Sequence, residues 1–394
     1  MQCDVLVIGA GPAGSSAAYW LARFGAKVIL ADKAHFPRSK PCGDGLSPGV
    51  DEMLNAMGMA DVLPTHGKPF LGIHLFTPDQ TLATIRFDSP AESVQVGWVI
   101  PRDILDDALR INATSAGADF LPGFNARALM YKHSWLDSVF GQQGKRQINI
   151  RTHLVIVATS ANRSFIHAAR LCSACSPGAL ATRTYLTGLP GLDDYVQVFL
   201  DRGMLPGYKW IFPTGTESAN VGCGVILNGR NTVEGSRLLR ETFRQFLHNT
   251  EVDPGIPCGV PQGYPIRSDF PDVPLSGNGI LVAGEAAGLV DPITGEGIAL
   301  ALRSGWLAAR VASYALSMGD YSDHLLMVYD DVLRQMFAEY FIGARQFLSW
   351  LGEPGVIDRL IKSAPSQLEV TQALRLAILE KHPLQGMLRL QEIL

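Results

Sequence analysis

Short, uninterrupted apolar runs are the most regular feature of the hydrophobic pattern. They occur at residues 5–8 (VLVI), 27–31 (KVILA, in which only the first residue is polar), 154–158 (LVIVA) and 280–283 (ILVA). A run of four or five apolar residues is typical of a strand that is buried on both faces of a parallel sheet. Residues 15–24 follow the first run with apolar positions at helical spacing. The pattern therefore predicts a core of parallel strands connected by helices.

Other segments alternate or repeat at different spacings. Short strands separated by Gly and Pro dominate residues 180–230, which is typical of an antiparallel sheet, and residues 70–100 alternate in the same way. Further strands are predicted at residues 118–131 and 148–158, and helices at residues 47–63, 101–117, 234–249 and 298–314 and from Tyr321 onward.

A glycine motif follows the first apolar run directly. Gly9, Gly11 and Gly14 have the spacing G-x-G-x-x-G, and Asp32 ends the second run. In this order, the first glycine permits a tight turn, the second lets a pyrophosphate approach the backbone, and the third lets helix and strand pack closely. The helix N-terminus attracts phosphates, and the acid can accept a hydrogen bond from a ribose hydroxyl. The sequence therefore predicts a dinucleotide site.

The segment after Asp32 is a loop by composition. Residues 33–49 (KAHFPRSKPCGDGLSPG) are dense in Pro, Gly and basic side chains. A loop that leaves the strand next to a nucleotide ribose is placed to run along the cofactor. Arg38 and Lys40 are candidates for phosphate contacts, and Gly43 and Gly45 permit close approach of the backbone.

A second glycine-rich turn follows the last apolar run. Gly284-Glu285 ends the strand, Gly295-Glu296-Gly297 follows, and a helix begins at Ile298. Ligands of open α/β sheets bind at the carboxyl ends of the strands, which is where this turn is predicted to lie.

Together these patterns predict an α/β fold, α+β overall. A Rossmann-like dinucleotide-binding domain would comprise residues 1–175 and 270–320. An antiparallel β-sheet substrate domain, residues 176–269, would be inserted into it, with a contribution from residues 70–100. Residues 321–394 would form a C-terminal helical region, in which a packed core is expected and a lipid-facing groove is the alternative.

Composition narrows the functional classes. The chain has 394 residues, 47% hydrophobic residues and a formal net charge of −4, which lacks the basic footprint of a nucleic-acid-binding protein. No apolar run reaches the roughly 18 residues of a membrane-spanning helix, and a strand starting at Asp4 leaves no room for a signal peptide, so a cytoplasmic location is expected. Cys172 and Cys175 form one C-x-x-C pair without a second pair for zinc; a packing role is expected, with a redox role as the alternative.

Several motifs, taken together, resemble the geranylgeranyl reductase family of FAD enzymes, which has the para-hydroxybenzoate hydroxylase fold. The motifs are GAGPAGSSAA (9–18), FPRSKPCGDGL (36–46), PRDILDDAL (101–109), YKWIFP (208–213) and GEAAGLVDPITGEGI (284–298). The combination of K-x-C-G-x-G-L with Y-x-W-x-F-P is the most specific part. The resemblance covers about residues 1–320.

The resemblance implies a bound FAD and a set of contacts to it. The implied cofactor-binding residues are Gly9, Gly11, Ala13, Gly14, Asp32, Lys33, Arg38, Cys42, Gly43, Arg102, Ala128, Gly284, Glu285, Gly295, Gly297 and Ile298. Cys42 is implied at the reacting face of the isoalloxazine, and Tyr208 and Trp210 on the substrate side, so these three are the candidate catalytic residues. No metal is implied.

Two departures from the pattern concern the cofactor. Glu285 replaces the more usual Asp of the family's G-D motif and is one methylene longer. Residues 158–160 read Ala-Thr-Ser, where related hydroxylases carry A-D-G, a stretch that serves both FAD and NAD(P)H. The electron donor is therefore left open between NAD(P)H and another reductant.

The implied activity is reduction of C=C double bonds in a geranylgeranyl or polyprenyl lipid by hydride transfer from reduced flavin. The substrate would be a hydrophobic small molecule or lipid, with peripheral contact to the membrane as a further expectation. The alternatives are an FAD-dependent monooxygenase or halogenase acting on a natural-product scaffold, and a non-catalytic flavoprotein. The sequence carries no prediction of oligomeric state.

Overall fold

A computed structural model describes residues 1–77, 81–87, 95–168, 177–248, 255–363 and 367–393. The strands are β1 (Val5–Ile8), β2 (Val28–Asp32), β3 (Gly45–Leu46), β4 (Lys68–Phe70), β5 (Gly72–Phe76), β6 (Thr81–Arg86), β7 (Gly97–Val99), β8 (Asp119–Pro122), β9 (Phe124–Lys132), β10 (Trp135–Gln143), β11 (Arg146–Arg151), β12 (Leu154–Val157), β13 (Ala179–Thr187), β14 (Val196–Phe199), β15 (Tyr208–Pro213), β16 (Ser218–Ile226), β17 (Ile256–Pro257), β18 (Gln262–Ile266), β19 (Ser276–Gly277) and β20 (Ile280–Val282). The α-helices are α1 (Pro12–Arg23), α2 (Val50–Ala56), α3 (Val62–His66), α4 (Arg102–Ser115), α5 (Arg163–Ala168), α6 (Thr232–Phe246), α7 (Ile298–Met318), α8 (Asp323–Leu351), α9 (Val356–Ser363), α10 (Gln367–Ile378) and α11 (Pro383–Ile393).

A six-stranded sheet contains all four apolar runs. Its order is β19-β20-β12-β1-β2-β8, and every pair is parallel except β19 with β20. Every residue of β1 and of β12 is buried, as the uninterrupted apolar runs require. The parallel strands and their order confirm the α/β prediction.

Helix α1 lies unusually close to both β1 and α7. A Cβ atom at Gly14 would lie 1.7 Å from the carbonyl oxygen of Gly9, and one at Gly305 would lie 2.2 Å from that of Ala13. These distances are too short for any side chain, so the glycines are required for the helix to pack against the strand and against its neighbour. This close packing fixes the position of the N-terminus of α1 above the sheet.

A second sheet has the order β17-β13-β16-β15-β14-β5-β6, and β18 also pairs with β13. All of its pairs are antiparallel except β14 with β5. Strands β5 and β6 come from the segment 70–100 and extend the sheet formed by the later strands. The division of the chain into domains at the expected boundaries stays a prediction.

The two faces of this sheet have different neighbours because side chains alternate along each strand. One face carries buried apolar residues, including Phe199, Ile211 and Val221, which pack with Phe243 and Phe246 of α6. The opposite face carries Tyr208, Trp210 and Phe212 of β15 and faces a cavity.

The C-terminal helices pack against β5 and β6. Phe347 and Trp350 of α8, with Val370 and Leu374 of α10, form a cluster with Leu75 of β5. The expected packed core of residues 321–394 is therefore present. Among the described residues, none of the helices combines the length and the apolar character needed to cross a membrane.

One local prediction was wrong and one strand was missed. The expected helix over residues 47–63 is two helices, α2 and α3, because Gly58 has a positive φ of 73° that interrupts the helical path. The strands expected at 118–131 and 148–158 are present, as β8 and β9 in the first range and β11 and β12 in the second; β10 lies between the two ranges and was not predicted, and it forms an antiparallel meander with β9 and β11. The alternating polar positions in 135–143 carried that signal. Cys172 and Cys175 lie outside the described residues.

Candidate active site

A cavity of about 850 Å³ lies where the carboxyl ends of β1 and β2 meet the second sheet. One end is polar and is lined by the glycine loop after β1. The other end, the apolar arm, is lined by the second sheet and the C-terminal helices. The residues of the apolar arm are Ile73, Leu75, Val196, Val198, Leu200, Phe347, Leu348, Leu351, Leu374, Ile378 and Leu379.

The glycine loop forms one wall of the polar end. Gly11 is the N-cap of α1, with extended backbone angles (φ −79°, ψ −172°), and a Cβ atom there would meet nothing nearer than Arg38 Nη2 at 3.6 Å. The carboxylate of Asp32 accepts hydrogen bonds from the backbone N–H groups of Ala10 and Ala34, both at 2.8 Å. Asp32 thereby holds the loop open next to the N-terminus of α1, where free N–H groups favour an anion.

A buried charge cluster lies beside this loop. Asp106 accepts two hydrogen bonds from Arg102, from Nε and Nη2, both at 2.9 Å, and Arg38 Nη1 lies 3.0 Å from Asp106 Oδ2. Burial alone would lower the pKa of Arg102, but Asp106 and then Cys42 outweigh it and raise that pKa. Two arginines and one carboxylate leave a net positive charge at the cavity wall.

Glu285 is held by a second polar cluster. Lys40 Nζ lies 3.2 Å from Glu285 Oε2 and 2.8 Å from Ser160 Oγ, and Ser160 also donates to Glu285. The Tyr264 hydroxyl donates to Ser160 Oγ at 2.8 Å. Ser160 and Lys40 therefore fix the orientation of the Glu285 carboxylate. Ser160 belongs to the Ala-Thr-Ser stretch that stands in place of A-D-G.

The loop between Asp291 and Gly297 is anchored from the C-terminal helices. Asp291 accepts from the backbone N–H groups of Ile293 and Thr294, and from Tyr340 of α8 and Lys381 after α10. Burial opposes ionisation of Asp291, but Lys381 and Tyr340 hold its pKa below the usual range. This ion pair places the backbone of Gly295 and Gly297 against the cavity.

The Cys42–Asp44 loop forms the wall between the polar end and the apolar arm. The side chain of Asn220 donates to the Cys42 carbonyl and to Asp44 Oδ2, both at 2.8 Å, and accepts from Trp210 Nε1 at 3.0 Å. A Cβ atom at Gly43 would lie 3.2 Å from Phe212. One buried amide therefore ties the loop to the aromatic face of β15.

Tyr208 is committed to a structural contact. Its hydroxyl donates to the Thr294 carbonyl at 2.5 Å, and burial raises its pKa above the usual value. The hydroxyl therefore stays protonated and joins β15 to the loop before α7.

Most of the expected site residues lie together. Those that line the cavity are Gly9, Gly11, Ala13, Asp32, Lys33, Arg38, Cys42, Gly43, Arg102, Tyr208, Trp210, Glu285, Gly295, Gly297 and Ile298. Gly14 and Gly284 do not line it but pack beneath it: a Cβ atom at Gly284 would lie 2.8 Å from that of Ala13.

Ala128 is misplaced by the sequence prediction. Ala128 lies in β9, where it pairs with Phe140 of β10, and it does not line the cavity. Strand β9 reaches the cavity with Asn125 and Ala126 instead, because its pairing with β10 shifts by one residue between these positions. Such a bulge has no local sequence signal.

Several site residues were missed by the sequence analysis. Asn220, Tyr185 and Asp106 are examples, each acting on a residue far away in the chain. The signal for Asn220 was the alternation of Asn220, Gly222 and Gly224 with apolar residues in β16. Within the described part of the chain, no group of three His, Cys, Asp or Glu residues could hold a metal ion.

Comparison with known proteins agrees with this geometry. An FAD-binding domain model matches residues 2–158, and a geranylgeranyl reductase catalytic domain model matches residues 179–254. The chain is 31% identical to digeranylgeranylglycerophospholipid reductase of Methanothrix thermoacetophila, over 85% of this chain and 84% of the relative. It is 30% identical to menaquinone reductase of Mycolicibacterium smegmatis, over 90% of this chain and 85% of the relative.

A solved structure shares the whole fold. A geranylgeranyl bacteriochlorophyll reductase-like protein of Thermoplasma acidophilum superposes with a TM-score of 0.82 and 26% identity, over 100% of this chain and 99% of the other. A flavin-dependent brominase, with a TM-score of 0.71 and 16% identity over 98% of this chain and 94% of the other, shares the fold alone.

Fold and cavity define an FAD-dependent oxidoreductase. The cavity residues fit FAD: Gly11 leaves room at the N-terminus of α1, and two buried oxygens that border the cavity, Thr159 Oγ1 and Glu296 Oε1, have no hydrogen-bond partner among the described residues. The chain belongs to the geranylgeranyl reductase family.

Proposed function

We propose that this protein reduces carbon–carbon double bonds in the polyprenyl chain of a membrane lipid. The observation that supports this substrate class is the apolar arm, which is lined by β5, β14 and the C-terminal helices. FAD, when bound and reduced, supplies the hydride for such a reaction. For residues 321–394, a lipid-facing groove was the alternative to a packed core. In this proposal that groove is the apolar arm, on the inner side of the C-terminal helices.

The apolar arm favours a long hydrocarbon for a physical reason. Val196, Val198 and Leu200 are alternate residues of one chain segment, so all three side chains lie on the cavity face. Burial of apolar surface contributes about 25 cal/mol per Å², whereas a polar substrate would lose its hydrogen bonds to water there.

The walls of the arm hold the reacting bond in place. An isolated alkene has no carbonyl group to polarise, so orientation must supply much of the catalysis. Trp210 is locked through Asn220, and the Tyr208 hydroxyl is locked on Thr294. In this proposal Tyr208 and Trp210 position the substrate, and Cys42 lies at the reacting face beside Arg102.

The remaining predicted contacts belong to the same proposal. Glu285 binds the ribityl chain of FAD, Arg38 and Arg102 bind its phosphates or adenine side, and the backbone of Gly295 and Gly297 faces the flavin ring. The electron donor is NAD(P)H or another reductant. Access to a lipid substrate implies peripheral contact with a membrane from the cytoplasm.

An anaerobic half-reaction tests the function without the natural electron donor. The purified holoenzyme is reduced with dithionite, and geranylgeranyl diphosphate or a geranylgeranyl-bearing phospholipid is added. We expect the flavin absorbance to return, with a product that is heavier by two hydrogens for each reduced bond. A flavin that stays reduced with both substrates until oxygen is admitted would instead support the monooxygenase alternative.

The variant Val198→Phe tests the apolar arm in the same assay. The larger ring takes up space in the arm that the hydrocarbon chain needs, and a loss of about 1–3 kcal/mol, the usual cost of overpacking, corresponds to reoxidation by the lipid that is about 5- to 150-fold slower. FAD content should be unchanged. Val233→Phe is the matched control because Val233 is 77% exposed on α6. Equal rates for both variants would show that the chain of the substrate binds elsewhere.

A further inference from the structure

A buried carboxyl group, that of Asp44, lies two residues after Cys42 and also accepts a hydrogen bond from Asn220. Asp44 is 0% exposed and has a positive φ of 65°. It belongs to the lining of the cavity. Its Oδ2 atom accepts hydrogen bonds from Tyr185 at 2.5 Å and from Asn220 at 2.8 Å. Its Oδ1 atom is buried without a hydrogen-bond partner among the described residues.

An unpartnered buried carboxylate oxygen is unfavourable, and protonation removes its charge. Burial raises the pKa of Asp44 to about 6, although Tyr185 and Asn220 act in the opposite direction. The charged groups that act on this carboxyl from neighbouring elements are Arg183 of β13 and Arg102 of α4, and both also favour the ionised form. Burial therefore has a larger effect on the pKa of Asp44 than the two arginines have.

Tyr185 connects Asp44 with less buried surroundings. It is half-buried, and Arg183 lies over its ring with 4.4 Å from the guanidinium carbon to the ring centroid. Burial and then Asp44 raise the pKa of Tyr185, so its hydroxyl keeps a proton at neutral pH. A hydroxyl that donates to Asp44 can pass its proton inward while it takes another from water.

We propose that Tyr185 and Asp44 form a proton relay into the cavity beside Cys42. This inference rests on the proposed function, because reduction of a double bond consumes one hydride and one proton. Reduced FAD provides the hydride and both electrons and is oxidised; the carboxyl group of Asp44 provides the proton. The π bond breaks and two C–H bonds form. The carboxylate of Asp44 then regains a proton from water through Tyr185.

The other proton donors near the cavity are less suited to this role. The Tyr208 hydroxyl already donates to Thr294. Glu296 also has a pKa that burial raises and an unpartnered Oε1 atom, but its Oε2 atom accepts from Ser47 and the residue lies in the loop before α7, not in the loop that carries Cys42. The relay is therefore assigned to the one buried acid that lies in the same loop as Cys42.

Asp44→Asn separates a proton relay from a structural tie. An amide oxygen can still accept from Tyr185 and Asn220, so the loop keeps its contacts, but the side chain carries no transferable acid proton. General acid catalysis contributes about 100-fold or more, so we expect the single-turnover reoxidation of pre-reduced enzyme by geranylgeranyl diphosphate to slow by about 100-fold. Tyr185→Phe should leave the first turnover nearly unchanged and slow the later turnovers in excess dithionite, because Tyr185 acts when Asp44 regains its proton. The matched control is Asp51→Asn, an exposed residue of α2.

The pH profile distinguishes the two roles. The acid form is active, so the wild-type rate should fall as the pH rises through about 6. This limb should remain in Asp51→Asn and disappear in Asp44→Asn. An unchanged rate and pH profile in Asp44→Asn would overturn the relay, and so would a limb that persists in it.

A measurement on FAD-free protein keeps this inference separate from the proposed function. Infrared difference spectra between pH 5 and pH 8 should show a protonated carboxyl band that titrates near pH 6 in the wild type and is absent in Asp44→Asn, whatever Glu296 contributes. If the band is found but the wild type does not reduce the lipid, the proposed function is wrong, while the protonated, buried carboxyl group of Asp44 is confirmed. If no band titrates, Asp44 holds no proton and the relay is overturned.

Discussion

Gly11→Val is expected to abolish FAD retention while leaving the fold intact. Position 11 has extended backbone angles that any residue adopts, and a side chain there meets nothing nearer than 3.6 Å within the protein. The side chain would instead occupy the space in which the pyrophosphate approaches the backbone. We expect the dissociation constant for FAD to rise at least about 100-fold, or about 2.7 kcal/mol. The flavin absorbance of the purified protein and a fluorescence titration of the FAD-free protein measure this.

Two further glycine variants show whether the loss of FAD in Gly11→Val comes from the blocked pyrophosphate site or from a loss of the fold. Gly263→Val is the matched control, because position 263 is exposed in β18 and a Cβ atom there also meets nothing nearer than 3.6 Å. It should keep both FAD and thermal stability. Gly14→Ala should lose the fold, since its Cβ atom would lie 1.7 Å from the Gly9 carbonyl oxygen. A Gly11→Val protein that purifies fully loaded with FAD would refute the placement of the pyrophosphate.

Asp106→Ala is expected to give the largest loss of stability among single charge deletions in the site. Its carboxylate is 0% exposed and pairs with Arg102, which is 4% exposed, and with Arg38. Removal of one partner of a buried ion pair leaves uncompensated charge and costs about 3–5 kcal/mol. Urea denaturation of the holoenzyme, followed by fluorescence, measures the change in the free energy of unfolding.

The neighbouring residue provides the control. Asp107 pairs with Arg110 at 2.7 Å, but both side chains are partly exposed. A pair of this kind contributes about 0–1 kcal/mol, so Asp107→Ala should shift the unfolding midpoint only slightly. Equal losses of stability in the two variants would mean that the substitutions destabilise helix α4 itself, and that the buried ion pair contributes nothing further.

The features that the sequence predicts correctly have local signals. The four apolar runs became parallel strands, and the spacing Y-x-W-x-F placed Tyr208, Trp210 and Phe212 on one face of β15. Period-two alternation alone is sufficient for that result. Ala128 is the exception, because a shift in the pairing of β9 with β10 decides which residue of β9 reaches the cavity.

The roles of individual site residues came from contacts between distant parts of the chain. Asn220 meets Asp44 across 176 positions, Glu285 meets Lys40 across 245, and Lys381 meets Asp291 across 90. No spacing rule connects such pairs. Tyr208 is a candidate catalytic residue by sequence, but its hydroxyl donates to the Thr294 carbonyl.

By itself, the sequence determined the α/β class, the dinucleotide loop, the aromatic wall and the family, because each is carried by short motifs or apolar runs that are recognisable locally. Tertiary structure decided which polar groups are buried, which are paired, and that the C-terminal helices close the apolar arm. Burial and pairing depend on packing between elements that are remote in sequence. That packing is what turns Asp44 from one polar residue of a glycine-rich loop into a buried acid.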